Sequence, residues 1–362
     1  MKFFTKLNLL LVTVTILPII VITGLFYWQM RDAISSQIND QLVSLADSKK
    51  QEIDTIITSY FNILKLVSNR TSLKVNLQEY LKNKDEQSLA NIKQILLDNS
   101  QSVAEIQSIT LFNKDNEMVA STDPQINKSK GFWPIIKQPE GKEKLQGVFK
   151  DAGNIPRLLF SSPVIFDNKV IGFITVTSII DPVIKITSNY IGLGSTGEML
   201  IAEKKESGDA LFITPTRFDP NASLVRVVSK DQINVPVITA IQGQELLLTE
   251  KNIVDYRNVP AIAVTRFSPL VDWGLVVKID RAEAYQPLVS LFYAFLLIFV
   301  LTEILVFMIS LVASRSLIKP LTRLLGATKQ LTQTDFSSPV VVDGHYAKND
   351  ELGVLVKVFN EM

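Results

Sequence analysis

LVSLFYAFLLIFVLTEILVFMISLV, residues 288–312, is an apolar run without Gly, Pro, Lys or Arg. About 25 residues of this kind cross roughly 30 Å of hydrocarbon as a helix. A basic, proline-marked segment follows, SRSLIKPLTRLL (residues 314–325), and then NDELGVLVKVFNEM (residues 349–362). A helix so placed hands an event on one side of a membrane to the segment on the other. One residue inside the run is out of character. Glu303 falls near its middle, where a carboxyl costs a few kcal/mol unless neutral or partnered, so it is a candidate for signal relay. Counted inward from the basic end, it is level with Thr13 and Thr15 of an earlier apolar run. A neutral Glu303 is expected to bond one of those threonines, or its twin in a dimer.

That earlier run, residues 7–28, follows two lysines and ends in Phe26-Tyr27-Trp28. Its length, the absence of an A-x-A site and the aromatic belt favour an uncleaved anchor over a signal peptide. Lys2 and Lys6 precede the first span, and Arg315, Lys319 and Arg323 follow the second. The excess of positive charge puts both termini in the cytoplasm and residues 29–287 on the outer side of the membrane. Net charge is +1, from 37 basic and 36 acidic residues, so no nucleic-acid footprint is expected. There is no cysteine and one histidine, His345. This excludes disulfides, thiolate ligands, a zinc site and a histidine-dependent triad in the outer region. No metal, cofactor or catalytic residue is expected.

Between residues 25 and 123 the only punctuation is an absence, with neither Pro nor Gly after Gly24. Ile34, Ile38, Leu42, Leu45, Ile53, Ile56, Tyr60, Ile63 and Val67 recur at helical spacing. They predict a stalk helix over residues 31–68, roughly 57 Å long, with Lys49 as a solvated break. Shorter helices are expected at 73–81 and 87–98. Alternation then predicts a hairpin over 106–112 and 117–121, a loop-rich stretch over 122–147, and a second hairpin over 157–166 and 169–178. Asp181-Pro182 starts a connector helix reaching 190. Beyond Gly192, strands are expected at 197–203, 211–213, 250–256, 259–268 and 273–279, with a helix at 236–242.

Two resemblances follow from these residues. Lys319-Pro320-Leu321 and, thirty residues later, Asp350-Glu351-Leu352-Gly353 with Phe359-Asn360-Glu361-Met362 resemble a HAMP domain, the four-helix relay of bacterial receptors. Leu317, Leu321, Leu324, Thr328 and Leu331, then Leu352, Leu355, Phe359 and Met362, keep coiled-coil spacing that needs a second chain. Thr334 stands where the family usually has Gly. Pro320, Asp350, Glu351 and Gly353 are carried over as relay residues. The outer region resembles a double-Cache sensor, in residues 119–123, Ser161-Ser162-Pro163-Val164 with Val170-Ile171-Gly172-Phe173, Gly194-Ser195-Thr196-Gly197-Glu198, Asp255-Tyr256 and Asp272-Trp273-Gly274-Leu275.

Together they imply an α+β chain. Two PAS-like antiparallel-sheet lobes sit on a long stalk helix, with two transmembrane helices and a helical HAMP coiled coil. Expected boundaries are a tail at 1–6, a span at 7–28, a stalk at 29–70, a distal lobe at 71–190, a proximal lobe at 191–287, a span at 288–312 and HAMP at 313–362. In such sensors the distal lobe holds a small ligand between its sheet and the loop covering it. Carried onto this chain, that implies Ser121, Asp123, Phe132, Trp133, Arg157 and Phe160 as ligand-binding residues. The amino-acid-binding branch has an Arg two residues before the Trp. Gly131 holds that place here, so an amino acid is not implied. The expected function is a homodimeric membrane receptor, working in chemotaxis or a two-component system with a downstream signalling domain or kinase. The alternative is the sensory half of a histidine kinase or nucleotide or diguanylate cyclase whose catalytic domain lies beyond residue 362.

Overall fold

The computed structural model describes residues 3–123, 138–139, 141–151 and 153–313, with residues 325, 326, 354 and 358. Phe132, Trp133, Pro320, Asp350, Glu351 and Gly353 lie outside the described residues. The chain divides into two units, one of residues 36–285 and one of 1–35 with 286–362.

A single helix, α1 (Phe3–Ser68), runs from the first span through the stalk. Pro18 is accommodated within it, as lipid-embedded helices allow. In the larger unit its buried line is Leu42, Ala46, Lys49, Ile53, Ile57, Tyr60, Leu64 and Val67, the steps of three and four that keep one face on a core. Lys49 was expected in solvent and is instead only 7% exposed. It occupies the line between Ala46 and Ile53, where its aliphatic stem packs while Nζ reaches Glu52 Oε2 at 3.3 Å.

The distal lobe places α2 (Thr71–Asn83) and α3 (Glu86–Gln101) before its sheet. Lys84 ends α2 in a left-handed conformation (φ 56°), and Asp85 caps α3 by accepting from the Ser88 N–H at 2.7 Å. The strands are β1 (Ile106–Asn113), β2 (Met118–Ser121), β3 (Lys144–Lys150), β4 (Pro156–Phe166) and β5 (Lys169–Ile179), in the order β2-β1-β5-β4-β3. Both expected hairpins are present. Strand β3 is not in the expected set: its sequence, KLQGVFK, mixes two lysines and a glycine into a short edge strand.

The connector α4 (Asp181–Thr187) leads to the proximal lobe, with β6 (Glu198–Lys204), β7 (Ala210–Phe212), β8 (Val227–Val228), α5 (Pro236–Ile241), β9 (Leu247–Leu248), β10 (Ala261–Ser268) and β11 (Trp273–Asp280). Its sheet order is β8-β7-β6-β11-β10-β9. Helix α5 crosses the sheet over Gly274, where a Cβ would lie 2.6 Å from the Ile241 nitrogen. The expected strand at 250–256 does not form. Only Val254 makes a bridge, to Pro260, because the Asp255 carboxylate accepts from the Arg257 and Val259 N–H groups and folds the segment into a turn. A four-residue helix, α6 (Arg281–Ala284), follows β11.

Helix α1 is fastened to both sheets of this unit. The Tyr60 hydroxyl donates to the Ile179 carbonyl at 3.2 Å, and Ser162 donates to Ser68 at 3.0 Å. On the proximal side Arg266 donates to Asp47 and Ser268 to Asp54, both at 2.5 Å. The Arg266 guanidinium holds the Asp47 carboxyl below its usual range.

In the other unit, α7 (Gln286–Ala313) carries the second apolar run. Phe26 and Phe295 meet edge to face with centroids 5.3 Å apart. Thr15 Oγ1 donates to Glu303 Oε1 at 3.2 Å.

Candidate functional site

In an antiparallel sheet, directly opposed residues share a face and successive residues alternate. Ile109, Leu111, Leu158, Phe160, Ile174 and Val176 take one face of the distal sheet and join the core that includes α1. The other face carries a different chemistry. Its register runs Ser121–Thr110–Thr175–Ser161 across four strands, a row of hydroxyls. Beside it lie Phe112 and Phe173, stacked with centroids 4.9 Å apart and an interplanar angle of 12°. Leu159 and Phe149 extend the apolar part of this face.

The row is buried, with Thr110 and Thr175 each 1% exposed and Ser161 fully covered. Thr110 and Ser121 share a hydrogen bond of 2.8 Å, and Gln146 donates to Ser161 at 2.5 Å. Thr175 Oγ1, between them, has no hydrogen-bond partner among the described residues. An unmet buried hydroxyl costs about 1–3 kcal/mol, so it marks a place where a polar atom is wanted.

Of the expected ligand residues, Ser121 is part of this row. Asp123 follows the end of β2, its N–H donating to Ser121 Oγ at 3.1 Å. Arg157 is on the hydroxyl-bearing face, but its Nε donates to Asp151 Oδ2 at 2.8 Å across the β3–β4 turn. Burial would raise the Asp151 carboxyl; the Ile155 N–H, the Arg157 guanidinium and the Gly153 N–H outweigh it and hold it below its usual range. This arginine therefore braces its own turn. Phe160 is drawn to the opposite face, against Tyr60 and Phe61 of α1 at 5.3 and 5.4 Å, because it is an odd number of residues from Ser161 and Leu159. Sequence reasoning missed Thr110, Thr175, Ser161 and Gln146. The signal was there in FITVT (residues 173–177), whose alternate residues are Ile and Val on one face and Phe, Thr, Thr on the other.

The proximal lobe buries charge. Lys278, 1% exposed, contacts Glu198 Oε1 at 3.1 Å, Asp255 Oδ2 at 2.8 Å and Asp280 Oδ1 at 2.9 Å. Arg257 bridges Asp255 and Asp280, both at 2.6 Å, and stacks over the Phe218 ring at 3.9 Å. Glu198 Oε2 accepts from the Arg217 N–H at 2.9 Å and the Tyr256 hydroxyl at 3.1 Å. Burial would raise the Asp255 carboxyl, but Lys278 and its neighbours pull it below its usual range. Glu283, on α6, accepts from the Ser195 N–H and hydroxyl at 2.7 and 2.8 Å, from the Thr196 N–H at 2.7 Å and from the Thr196 hydroxyl. Burial acts against its ionised form, yet these donors hold the carboxyl at about 2. Among the described residues, no group of acidic and histidine side chains is arranged to hold a metal ion.

A family model described as Cache domain matches residues 26–288, and one described as HAMP domain matches residues 312–362. Among solved structures the chain is similar to the ligand binding domain of Mlp24 with asparagine, at 16% identity and a TM-score of 0.50, covering 71% of this chain and 98% of that one. It is similar to the sensor domain of the V. cholerae histidine kinase DctB, at 14% identity and a TM-score of 0.46, covering 70% and 99%. The ligand-binding domain of the Pseudomonas fluorescens chemoreceptor CtaA in complex with L-alanine is similar at 12% identity and a TM-score of 0.44, covering 68% and 99%. These likenesses concern the fold. No curated relative matches the chain in sequence.

Proposed function

The chain belongs to the Cache domain family, and on that premise we propose that it is a transmembrane sensor of a small extracytoplasmic molecule. The ligand is taken on the hydroxyl-bearing face of the distal sheet, and the event passes through α1 and α7 to the HAMP segment. The observation that carries this reading is Thr175 Oγ1, buried, unpartnered and flanked by bonded hydroxyls. The stacked Phe112 and Phe173 supply an apolar bed beside it. The floor thus fits a ligand with a small apolar body and a hydroxyl, carbonyl or amide that meets Thr175. Ser121 and Asp123 stand at its edge, and Phe132 and Trp133, outside the described residues, are proposed as ligand contacts from the family resemblance alone.

The test is Thr175→Val in a thermal-shift screen against amino acids, sugars and small carboxylates. Valine keeps the shape and removes the unmet hydroxyl, so the free protein gains up to about 1–3 kcal/mol. Any compound that stabilises the wild type binds the variant about tenfold more weakly, through loss of one hydrogen bond in a dry site. Equal affinity in both proteins would take the ligand off this face.

Two copies of the chain form the working receptor in a bacterial inner membrane, with both termini cytoplasmic. Pro320, Asp350, Glu351 and Gly353 relay within HAMP to a chemotaxis or two-component output. Helix α7 carries an apolar run with one carboxyl, and that carboxyl is bonded by Thr15. We propose that this bond sets the relative height of the two spans. Glu303→Gln keeps an acceptor and keeps the resting output. Glu303→Leu shifts it, and identical resting and stimulated outputs in the leucine variant would remove Glu303 from the relay.

A further inference from the structure

The segment of residues 190–197 joins the distal lobe, through α4, to the first strand of the proximal lobe. It is short, and four separate elements hold it. From α1, Gln41 Nε2 donates to the Gly192 carbonyl at 2.7 Å. From beyond β7, Arg217 Nη1 donates to the Gly194 and Gly197 carbonyls at 2.9 and 2.8 Å while its guanidinium covers the Tyr190 ring at 4.5 Å. From β11, the Asp280 N–H donates to Thr196 Oγ1 at 3.1 Å and Lys278 Nζ to the Thr196 carbonyl at 3.3 Å. From α6, the Glu283 carboxylate takes the four donors of Ser195 and Thr196.

The last contact differs from the others in what it joins. Glu283 is three residues before Gln286, where α7 begins. Its partners are the residues that arrive from the distal lobe. In sequence the two are 87 and 88 residues apart, with the whole proximal sheet between them. The carboxylate closes that loop and bypasses the sheet. The backbone is shaped for it. Gly194 has φ +67°, and a Cβ there would lie 2.5 Å from Glu283 Oε1, so only glycine lets the segment wrap the carboxylate. Two N–H groups and two hydroxyls satisfy both oxygens of one anion, a charge-assisted set stronger per bond than neutral ones.

We propose that Glu283 is a positioning residue that ties the interlobe segment 190–197 to the start of the second span, so that movement of the distal lobe reaches α7 directly instead of through the proximal sheet. This rests on the sensor reading for its purpose, but not for its geometry. The proximal lobe is then the frame against which the short path works: Lys278 and Asp280 fix Thr196 to the end of β11, and Glu283 fixes the same residue to α6.

The chain has no cysteine, so the introduced labels are the only ones, and mixing the labelled chain with a large excess of the cysteine-free chain leaves one label pair per dimer. The full chain carrying Ile191→Cys and Val289→Cys, both at exposed positions, is spin-labelled in lipid nanodiscs and its distance distribution recorded beside amide exchange. Glu283→Ala broadens the distribution and speeds exchange of the Ser195 and Thr196 amides at least tenfold, while β6 and β11 exchange as before. Glu283→Gln, which keeps one acceptor oxygen, falls between. An unchanged distribution in Glu283→Ala overturns the proposal. So does equal loss of protection throughout β6 and β11, which would make Glu283 a stability residue only. If a compound from the thermal-shift screen binds, it moves the wild-type distribution, and it binds Glu283→Ala with the same affinity without moving it. If no compound binds the wild type, the sensor reading fails while the ligand-free comparison still decides the tie.

Discussion

Lys278→Met is expected to weaken the proximal lobe by about 3–5 kcal/mol, read as the exchange free energy of the β10 and β11 amides. Lys278 is 1% exposed and faces Glu198 at 0%, Asp255 at 4% and Asp280 at 8%. Methionine matches its stem and packs in its place, so the loss is electrostatic: Asp255 and Asp280 keep Arg257, while Glu198 keeps only the Arg217 N–H and the Tyr256 hydroxyl and no cation. Taking an ion pair apart from one side strands the partner's charge in a medium that cannot solvate it. The same logic makes the loss recoverable. Glu198→Gln added to Lys278→Met removes the most deeply buried of the stranded charges, and the double variant is more stable than the sum of the single effects by at least about 1 kcal/mol.

The pH dependence has a definite sign. In the wild type the Asp255 carboxyl lies below its ordinary 3.8. Its contribution is present above about 3.8 and is lost as pH falls through the depressed folded value. In Lys278→Met the lysine's bond and charge are gone while Arg257 and the Val259 N–H remain, so Asp255 titrates higher than it does in the wild type. The variant's penalty is then largest near neutrality and relaxes on acidification, because Asp255 takes up its proton at a higher pH in the variant than in the wild type. Wild type and variant therefore converge on acidification. A gap that is constant between pH 7 and pH 4 would mean that the cavity, not the charge, sets the loss.

Periodicity made much of the fold legible, and its limits are instructive. The two distal hairpins announce themselves by strict alternation around Asn116 and Asp167-Asn168, all with positive φ in the structure, because a turn residue and a period of two are local properties. Strand β3 has neither a clean alternation nor a strong apolar content, and it exists because β4 offers it an edge. Residues 250–256 have the composition of a strand, yet Asp255 is claimed by Lys278 and Arg257 from strand β11 and the adjoining turn, and tertiary charge overrides local preference. Lys49 illustrates the same limit, since nothing in a single helix reveals which of its lysines the fold will bury. For the site, residue type suggested Arg157 and Phe160 as ligand contacts. Register adds what residue type does not carry: it pairs one with Asp151 and packs the other against the stalk.

The placement of Phe160 is the basis of the second large effect. Phe160→Ala is expected to cost the distal lobe about 3–5 kcal/mol. The ring is fully buried, 5.3 Å from Tyr60 and 5.4 Å edge to face from Phe61, so its removal opens a cavity where the sheet meets α1. Exchange in β4 and β5 and in residues 57–67 of α1 should accelerate together, while β10 and β11 are unmoved. Phe160→Leu, which refills most of the space, should lose less than half as much. The functional consequence follows from the strand's period of two. Phe160 is adjacent to Ser161, and Ile174 and Val176, members of the core that includes α1, flank Thr175, so these two residues of the hydroxyl row share peptide planes with that core. A close-packed face cannot absorb a displacement by deforming, and a shift at Thr175 is therefore delivered to Tyr60 and Phe61. Phe160→Ala breaks that delivery without touching the hydroxyls. At a temperature where the lobe remains folded, it should bind the compounds the wild type binds, with the response of α1 to binding much reduced. Loss of both in parallel would place the ligand on the stalk face and reverse the assignment of the two faces.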